Sequence, residues 1–254
     1  MNPLKARSLG VRSSSGEQLV KGVDMDLEEG ELSFLAGKPG SGKTLLCKAL
    51  KGLFDTPRED GNGKTGLEIQ GEISRKGRVE IVFQNPARGI VREQVERDVA
   101  FGLENAGLPP EEMRERIRKY SRFLGAHHLL DRKITQLSLG ELTKAALLGS
   151  LVLEPDLVIL DEPLASLDRT AQGNLLTCVE RMRDRGTALL IAEHDLRELF
   201  YRADRGFLLN EGRMVAGGKP EEIATPLYQQ GLKLPFQEEL CLELRREKLP
   251  DPSS

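Results

Sequence analysis

The hydrophobic residues of this chain fall into short runs that predict two kinds of β-strand. Continuous apolar runs, which are typical of parallel strands covered on both faces, occupy residues 31–36, 79–83, 156–160 and 187–192. Alternating apolar and polar side chains, which are typical of half-exposed strands, occupy residues 21–27 and 67–74. A further pattern over residues 207–215 predicts a hairpin that turns at residues 210–212.

Helical periodicity separates most of these strands. It covers residues 45–50, 91–125, 138–153, 169–184 and 196–203, and two shorter helical pieces follow Lys219. Strands that alternate with helices indicate an α/β fold with a largely parallel sheet, here preceded by antiparallel N-terminal strands. We predict one domain over residues 1–218 with a helical insertion at about 85–148, and a short helical extension over 219–254. Composition predicts an exposed loop at 55–66 and a frayed tail at 250–254.

A glycine-rich segment follows the first buried strand and precedes a helix. It has the G-x-x-x-x-G-K-T pattern of a P-loop, with Gly37, Lys38, Pro39, Gly40, Ser41, Gly42, Lys43 and Thr44. In that motif successive backbone N–H groups face one anion, and the positive end of the following helix adds to their field. We expect Lys43 to reach the β- and γ-phosphates and the Thr44 hydroxyl to bind Mg²⁺. The alternative is a surface turn, but the full pattern between a strand and a helix predicts binding of a nucleoside triphosphate.

Four polar residues lie at or just beyond the carboxyl ends of apolar strands, namely Gln84, Asp161, Glu162 and His194. Ligands of parallel sheets bind at those ends, so these side chains are candidates for a shared site. We predict that Asp161 holds Mg²⁺, directly or through water, and that Gln84 reaches either the metal or the attacking water. Glu162 is predicted to orient and polarise that water, and His194 to hydrogen-bond the γ-phosphate. The alternatives are polar strand ends without chemistry and, for His194, a structural histidine at a sheet edge.

Composition narrows the class of protein. The chain has 254 residues, enough for one large domain with a small appendage, and a formal net charge of −3, which provides no global attraction to nucleic acid. No apolar run approaches the roughly 18 residues that would span a bilayer, and three widely separated cysteines suit a reducing compartment. We therefore expect a cytoplasmic protein without a nucleic-acid partner, which associates with membranes only through partner subunits.

The motifs, in this order, resemble those of the nucleotide-binding subunit of an ABC transporter. Residues 37–44 match its Walker A loop, Gln84 its Q-loop, 157–162 its Walker B strand with the catalytic glutamate, and His194 its switch histidine. Leu137-Ser-Leu-Gly-Glu141 resembles the ABC signature and Ser166-Leu-Asp168 the D-loop, so the resemblance covers about residues 4–218. It implies a P-loop NTPase fold and hydrolysis of ATP with Mg²⁺.

The same resemblance implies that two such subunits pair head to tail, as a homodimer or a heterodimer. Ser138, Gly140 and Asp168 then complete the site of the ATP that the partner subunit binds. Residues 81–86 and 95–102 are similar to the energy-coupling-factor (ECF) group, which drives uptake of vitamins or of cobalt and nickel ions. That similarity implies a transmembrane coupling protein and a substrate-binding membrane protein as further partners, and a docking groove just after Gln84.

Two residues depart from the family signature. Leu139 stands where the family has its first glycine, and Glu141 where it usually has glutamine, although Ser138 and Glu141 also form a capping-box pattern. A branched side chain and a carboxylate both disfavour the approach of a triphosphate. We expect a subunit with an intact Walker side and a compromised signature, in which Leu139→Gly with Glu141→Gln raises turnover of the assembled complex.

Three other functions are compatible with parts of this pattern. A soluble ABC ATPase acting on DNA or ribosomes would show a basic face or tandem cassettes, and a binding-only regulatory cassette would lack the catalytic residues. A small-molecule P-loop kinase leaves the signature and the D-loop unexplained. The residues favour an ATP-hydrolysing transporter subunit, and they do not identify the transported solute.

Overall fold

The computed structural model describes residues 2–54, 66–165 and 167–248. Residues 55–65 of the loop predicted at 55–66, the predicted tail at 250–254 and Ser166 of the D-loop pattern lie outside the described residues. The chain divides into two compact units. The first comprises the described residues of Met1–Lys5, Asp26–Gly30 and Ser74–Ile191, and the second those of Ala6–Met25, Glu31–Ile73 and Ala192–Ser254.

Nine strands and seven α-helices form within the described residues. The strands are β1 (Leu4–Ser13), β2 (Gln18–Leu27), β3 (Leu32–Ala36), β4 (Leu67–Arg75), β5 (Val79–Val82), β6 (Leu157–Asp161), β7 (Ala188–Glu193), β8 (Arg205–Asn210) and β9 (Arg213–Gly218). The helices are α1 (Lys43–Lys51), α2 (Val95–Asn105), α3 (Pro110–Phe123), α4 (Leu139–Leu151), α5 (Arg169–Arg183), α6 (Ala224–Gln229) and α7 (Phe236–Lys248). Short 3-10 helices occupy Pro86–Gly89, His127–Leu129 and Ile134–Gln136.

The first unit is built on β5, β6 and β7, which lie side by side in that order. β5 and β6 pair in parallel, with Val82 opposite Leu160, and all five residues of β6 are buried. α2 packs against α3 and α4. α3 begins at Pro110, where the missing N–H of proline removes no helical hydrogen bond. This unit therefore places the ends of β5 and β6 at the same level.

In the second unit β8 lies between β3, with which it pairs in parallel, and β9, with which it forms an antiparallel hairpin. The hairpin turns at Glu211 and Gly212, whose φ angles of 48° and 75° suit a two-residue turn of type I′. β2, β1 and β4 form a separate antiparallel sheet in that order. The buried β3 leads directly into the glycine-rich segment and α1.

The predicted α/β class with antiparallel N-terminal strands is confirmed, but the structure differs from the sequence pattern in two places. β1 was not predicted, because its burial alternation breaks at Ser8, which has a φ angle of 48°. The short helix predicted at 196–203 is wrong, since these residues form turns. Within this segment, backbone bonds that span three residues (Leu199 N to Leu196 O) alternate with bonds that span four (Phe200 N to Leu196 O), which gives turns and not a regular α-helix.

Candidate functional site

The glycine-rich segment is a tight loop between β3 and α1. A Cβ atom on Gly37 would lie 2.4 Å from the Ser41 hydroxyl oxygen and 2.5 Å from the Leu209 carbonyl oxygen, so the loop closes directly on β8. Gly42 caps α1 with a φ angle of 103°, a left-handed conformation that side-chain-bearing residues rarely adopt. Among the described residues no side chain caps this helix, and its first turn contains no acidic residue. The loop thus points an electropositive helix end toward its own concave face.

Lys43 folds back over this loop. Its side chain is only 4% exposed, and its Nζ donates to the carbonyl oxygens of Gly37 at 2.7 Å and Lys38 at 3.3 Å. The buried Ser41 hydroxyl has no hydrogen-bond partner within the described part of the chain. A buried hydroxyl without a partner is costly, and an anion seated in the loop would satisfy it. The Lys43 ammonium group, the Ser41 hydroxyl and the positive end of α1 therefore fit a phosphate group together.

The ends of β5 and β6 bring two of the predicted catalytic residues together. Gln84 and Glu162 each lie two residues beyond the paired positions Val82 and Leu160, and Gln84 Nε2 donates to Glu162 Oε2 at 3.1 Å. Glu162 has a φ angle of 49°, a conformation that costs a non-glycine residue about 1–3 kcal/mol and that clusters at functional sites. Asp161, the last residue of β6, is 2% exposed. The parallel register therefore aims an amide and a carboxylate at one point.

Ser138 and Glu141 form the predicted capping box at the start of α4. The Glu141 carboxylate accepts from Ser138 N at 2.8 Å and from the Ser138 hydroxyl at 2.9 Å, and Glu141 N donates to Ser138 Oγ at 3.3 Å. Hydrogen bonds from the Ser138 backbone and hydroxyl, with the nearby Arg132, hold the pKa of Glu141 below its usual range. The capping box therefore satisfies polar groups at the start of α4 with side chains of the same helix start.

Ser138 and Gly140 of the signature and Asp168 of the D-loop line one cavity of about 210 Å³, together with Lys144 of α4. Asp168 caps α5 by accepting from Ala171 N at 2.8 Å. A Cβ atom on Gly140 would lie 3.3 Å from the Ala171 side chain, so α4 and α5 approach each other closely there. Leu139 faces outward and is 39% exposed. The structure thus brings the three residues predicted to act on the partner's nucleotide around a single cavity.

His194 follows β7 in the second unit. It is preceded by Glu193, which is buried at 1% exposure, and its backbone N–H donates to Glu193 Oε2 at 3.3 Å. The same carboxylate oxygen lies 3.7 Å from His194 Nδ1. The structure therefore places His194 directly after the last residue of β7, next to a buried carboxylate.

The predicted metal ligands are Thr44, Gln84 and Asp161, which offer hydroxyl, amide and carboxylate oxygens. Within residues 2–54, 66–165 and 167–248 there is no group of three or more histidine, cysteine or acidic side chains able to hold a metal. Mg²⁺ in nucleotide sites uses one or two carboxylates together with phosphate oxygens, not a complete protein cage. The donor chemistry therefore fits Mg²⁺ that arrives with the nucleotide.

Arg132 is the residue at this site that the sequence reasoning missed. Its Nη1 donates to Glu141 Oε1 at 2.6 Å and its Nη2 to Gln136 O at 2.6 Å. No periodic signal links these residues, because the chain turns through the 3-10 helix at Ile134–Gln136 between them. A basic residue shortly before an acidic capping position is the only sequence hint.

Comparison with known proteins identifies the family. The sequence profile of the ABC transporter family matches residues 20–165. The chain belongs to the ABC transporter family. The ECF transporter ATP-binding protein EcfA1 of Bacillus subtilis (strain 168) is 36% identical over 244 residues, which cover 94% of this chain and 86% of that protein. EcfA3 of Clostridium perfringens is 31% identical over 258 residues, which cover 96% of this chain and 88% of the relative.

A solved structure agrees with these sequence relatives. It is cbiO1 from Clostridium perfringens, described as part of the ABC transporter complex cbiONQ, with a TM-score of 0.77 and 27% identity over 97% of this chain and 96% of that one. The chain is thus an ABC ATPase, of the class that binds and hydrolyses ATP as a transporter subunit. Among the described residues no helix is long and apolar enough to cross a bilayer.

Proposed function

We propose that this chain is the ATP-hydrolysing subunit of an ECF-type uptake transporter for a vitamin or for cobalt or nickel ions. It pairs with a second ABC ATPase, and a transmembrane coupling protein with a substrate-binding membrane protein holds the pair on the cytoplasmic face of the membrane. The names of the relatives support this assignment, since they are ECF ATP-binding proteins and a part of a cbiONQ complex.

In this proposal the loop of residues 37–44 binds the triphosphate through its backbone and through Lys43. Thr44, Gln84 and Asp161 hold Mg²⁺, which neutralises charge on the phosphates. Glu162 accepts a proton from the attacking water and His194 donates a hydrogen bond to the γ-phosphate. On the partner's nucleotide, Ser138, the Gly140 N–H and Asp168 act from the cavity between α4 and α5.

The observation that carries hydrolysis, and not binding alone, is the contact between Gln84 Nε2 and Glu162 Oε2 at 3.1 Å. A glutamate in a strained conformation, held by an amide just beyond the neighbouring strand, is a pre-positioned general base. A binding-only cassette needs neither feature.

Glu162→Gln tests this role in the assembled complex. General bases contribute about 10²–10⁴ to rate, so we expect ATP turnover to fall by at least about 100-fold while ATP affinity is retained. Glu111→Gln is the matched control, since Glu111 lies on α3 in an exposed ion pair with Arg114. Equal turnover of Glu162→Gln and wild type would instead support the binding-only cassette.

The proposed docking groove follows Gln84. The lining of a cavity of about 270 Å³ includes the apolar residues Phe83, Ile90, Val91 and Phe101 as well as polar side chains, and Val91 is 64% exposed. Because Asp98 accepts hydrogen bonds from Val91 N at 2.7 Å and Arg92 N at 2.9 Å, the backbone here stays in place when the side chains change.

Aspartate at both Ile90 and Val91 should release the subunit from membranes and leave ATP binding intact, as measured by co-purification with membrane subunits and by nucleotide titration. Loss of nucleotide binding would mean that these residues stabilise the fold. Purification of the native complex without any membrane subunit would favour a soluble ABC ATPase.

A further inference from the structure

Glu141 places a negative charge where the proposed mechanism needs an anion to approach. In the head-to-tail pair, Ser138 and Gly140 meet the γ-phosphate bound by the partner subunit, and Glu141 belongs to the same helical turn. An uncompensated carboxylate near a triphosphate repels it. The composite site therefore requires a cation beside Glu141.

Arg132 provides that cation. Its guanidinium lies 2.6 Å from Glu141 Oε1, and its second nitrogen donates to the Gln136 carbonyl oxygen, so it is fixed at two points. Glu141 in turn accepts both hydrogen bonds from Ser138 through its other oxygen, Oε2. The three side chains form a continuous series from guanidinium to carboxylate to serine hydroxyl.

We propose that Arg132 is a positioning residue of the signature, which compensates the charge of Glu141 so that Ser138 and the Gly140 N–H can meet the partner's γ-phosphate. This inference rests on the proposed function, because the γ-phosphate belongs to a second ATPase subunit. The Ser138 hydroxyl donates to Glu141 in this structure, and it donates to the phosphate only after it leaves that carboxylate. Arg132 keeps the carboxylate paired during this exchange.

A four-variant cycle in the purified transporter complex tests the inference, with wild type, Arg132→Ala, Glu141→Gln and the double variant. The readout is the ATP concentration that gives half-maximal turnover with Mg²⁺. Charged neighbours that share a contact couple strongly, so Arg132→Ala should raise this concentration about tenfold. With Glu141→Gln already present, the same arginine change should alter it by less than about twofold, since no charge is left to compensate.

Rescue by Glu141→Gln separates charge compensation from a structural role. If Arg132 only stabilised the loop through Gln136, the double variant would remain as impaired as Arg132→Ala, and that result would overturn the inference. An unchanged half-maximal concentration in Arg132→Ala would overturn it as well. Arg114→Ala, which breaks an exposed ion pair on α3, is the matched control and should behave as wild type.

Ser138→Ala distinguishes failure of this inference from failure of the proposed function. If Ser138→Ala impairs turnover and Arg132→Ala does not, the composite site stands and the role of Arg132 is refuted. If neither change has an effect, the signature does not act on a partner's nucleotide, and both the composite site and this inference are wrong.

Discussion

The N-termini of α1 and α4 differ in how their free backbone N–H donors are satisfied. The N-cap of α1 is Gly42, which offers no capping side chain, and the first turn contains no acidic residue. The N-cap of α4 is Ser138, which forms a complete capping box with Glu141, and Arg132 binds the Glu141 carboxylate. The exposed donors of a helix start attract anions, and capping side chains satisfy those donors from within the chain.

Under the proposed function, this difference separates two kinds of phosphate contact. The start of α1 suits a permanent site, because Lys43 and the buried Ser41 hydroxyl surround the same loop. The start of α4 suits a conditional contact, since a phosphate there must replace hydrogen bonds that Glu141 already makes. We infer that ATP binding depends on the start of α1. Closure of the proposed pair of ATPase subunits over the nucleotide depends on the start of α4.

The largest effect, on ATP affinity, is expected at the start of α1. Lys43→Ala removes charge-assisted hydrogen bonds worth about 1.5–3 kcal/mol each, so ATP affinity should fall about 100-fold by calorimetric titration. Lys5→Ala changes an exposed lysine of β1 and is the control. Equal affinity of the Lys43 variant and wild type would break the comparison, because the start of α1 would then not be the permanent site.

The next largest effect is expected in the loop of residues 37–44, on the stability of the fold. In Gly37→Ala the added methyl group would meet Ser41 Oγ and the Leu209 carbonyl, so the free energy of unfolding should drop by about 1–3 kcal/mol. Gly173→Ala, at a position on α5 where an added Cβ meets nothing within 4 Å, should instead gain about 0.5–1 kcal/mol. Denaturant unfolding measures both. A Gly37 variant as stable as wild type would mean that the loop relaxes easily.

Removing Leu139 and the Glu141 charge at the start of α4 should have a smaller effect. Leu139→Gly with Glu141→Gln removes the branched side chain and the charge while glutamine keeps the capping-box pattern. A charge near a helix N-terminus is worth about 0.3–1 kcal/mol, so turnover of the assembled complex should rise about two- to fivefold. If turnover is unchanged, the two departures from the family signature do not limit the composite site.

The smallest effect concerns pH. Because its pKa is lowered in the folded chain, the Glu141 carboxylate contributes stability that is present above its ordinary pKa and is lost as pH falls through the lowered value. The free energy of unfolding of wild type should therefore fall relative to Glu141→Gln as the solution is acidified from neutral pH, as denaturant titrations at several pH values would measure. A difference that stays constant with pH would show that the capping box does not depend on the charge.

Much of the fold could be predicted from local patterns. The buried β6 and β7 are continuous apolar runs, and the start of α4 was given by the Ser138–Glu141 pattern. The failures also have local causes. β1 escaped prediction because a positive φ angle at Ser8 breaks its alternation. The helical periodicity at 196–203 forms only turns, in which backbone bonds that span three and four residues alternate.

The sequence by itself determined which chemical groups this protein carries, since glycines, Lys43, Asp161 and Glu162 are read directly from their order along the chain. Only the tertiary structure decided which of them meet. Gln84 and Glu162 are 78 residues apart and touch because β5 and β6 pair in one particular register. Arg132 reaches Glu141 across the 3-10 helix at Ile134–Gln136, which lies between them in the chain. Periodicity records the environment of each residue within its own element, whereas such contacts depend on how separate elements pack.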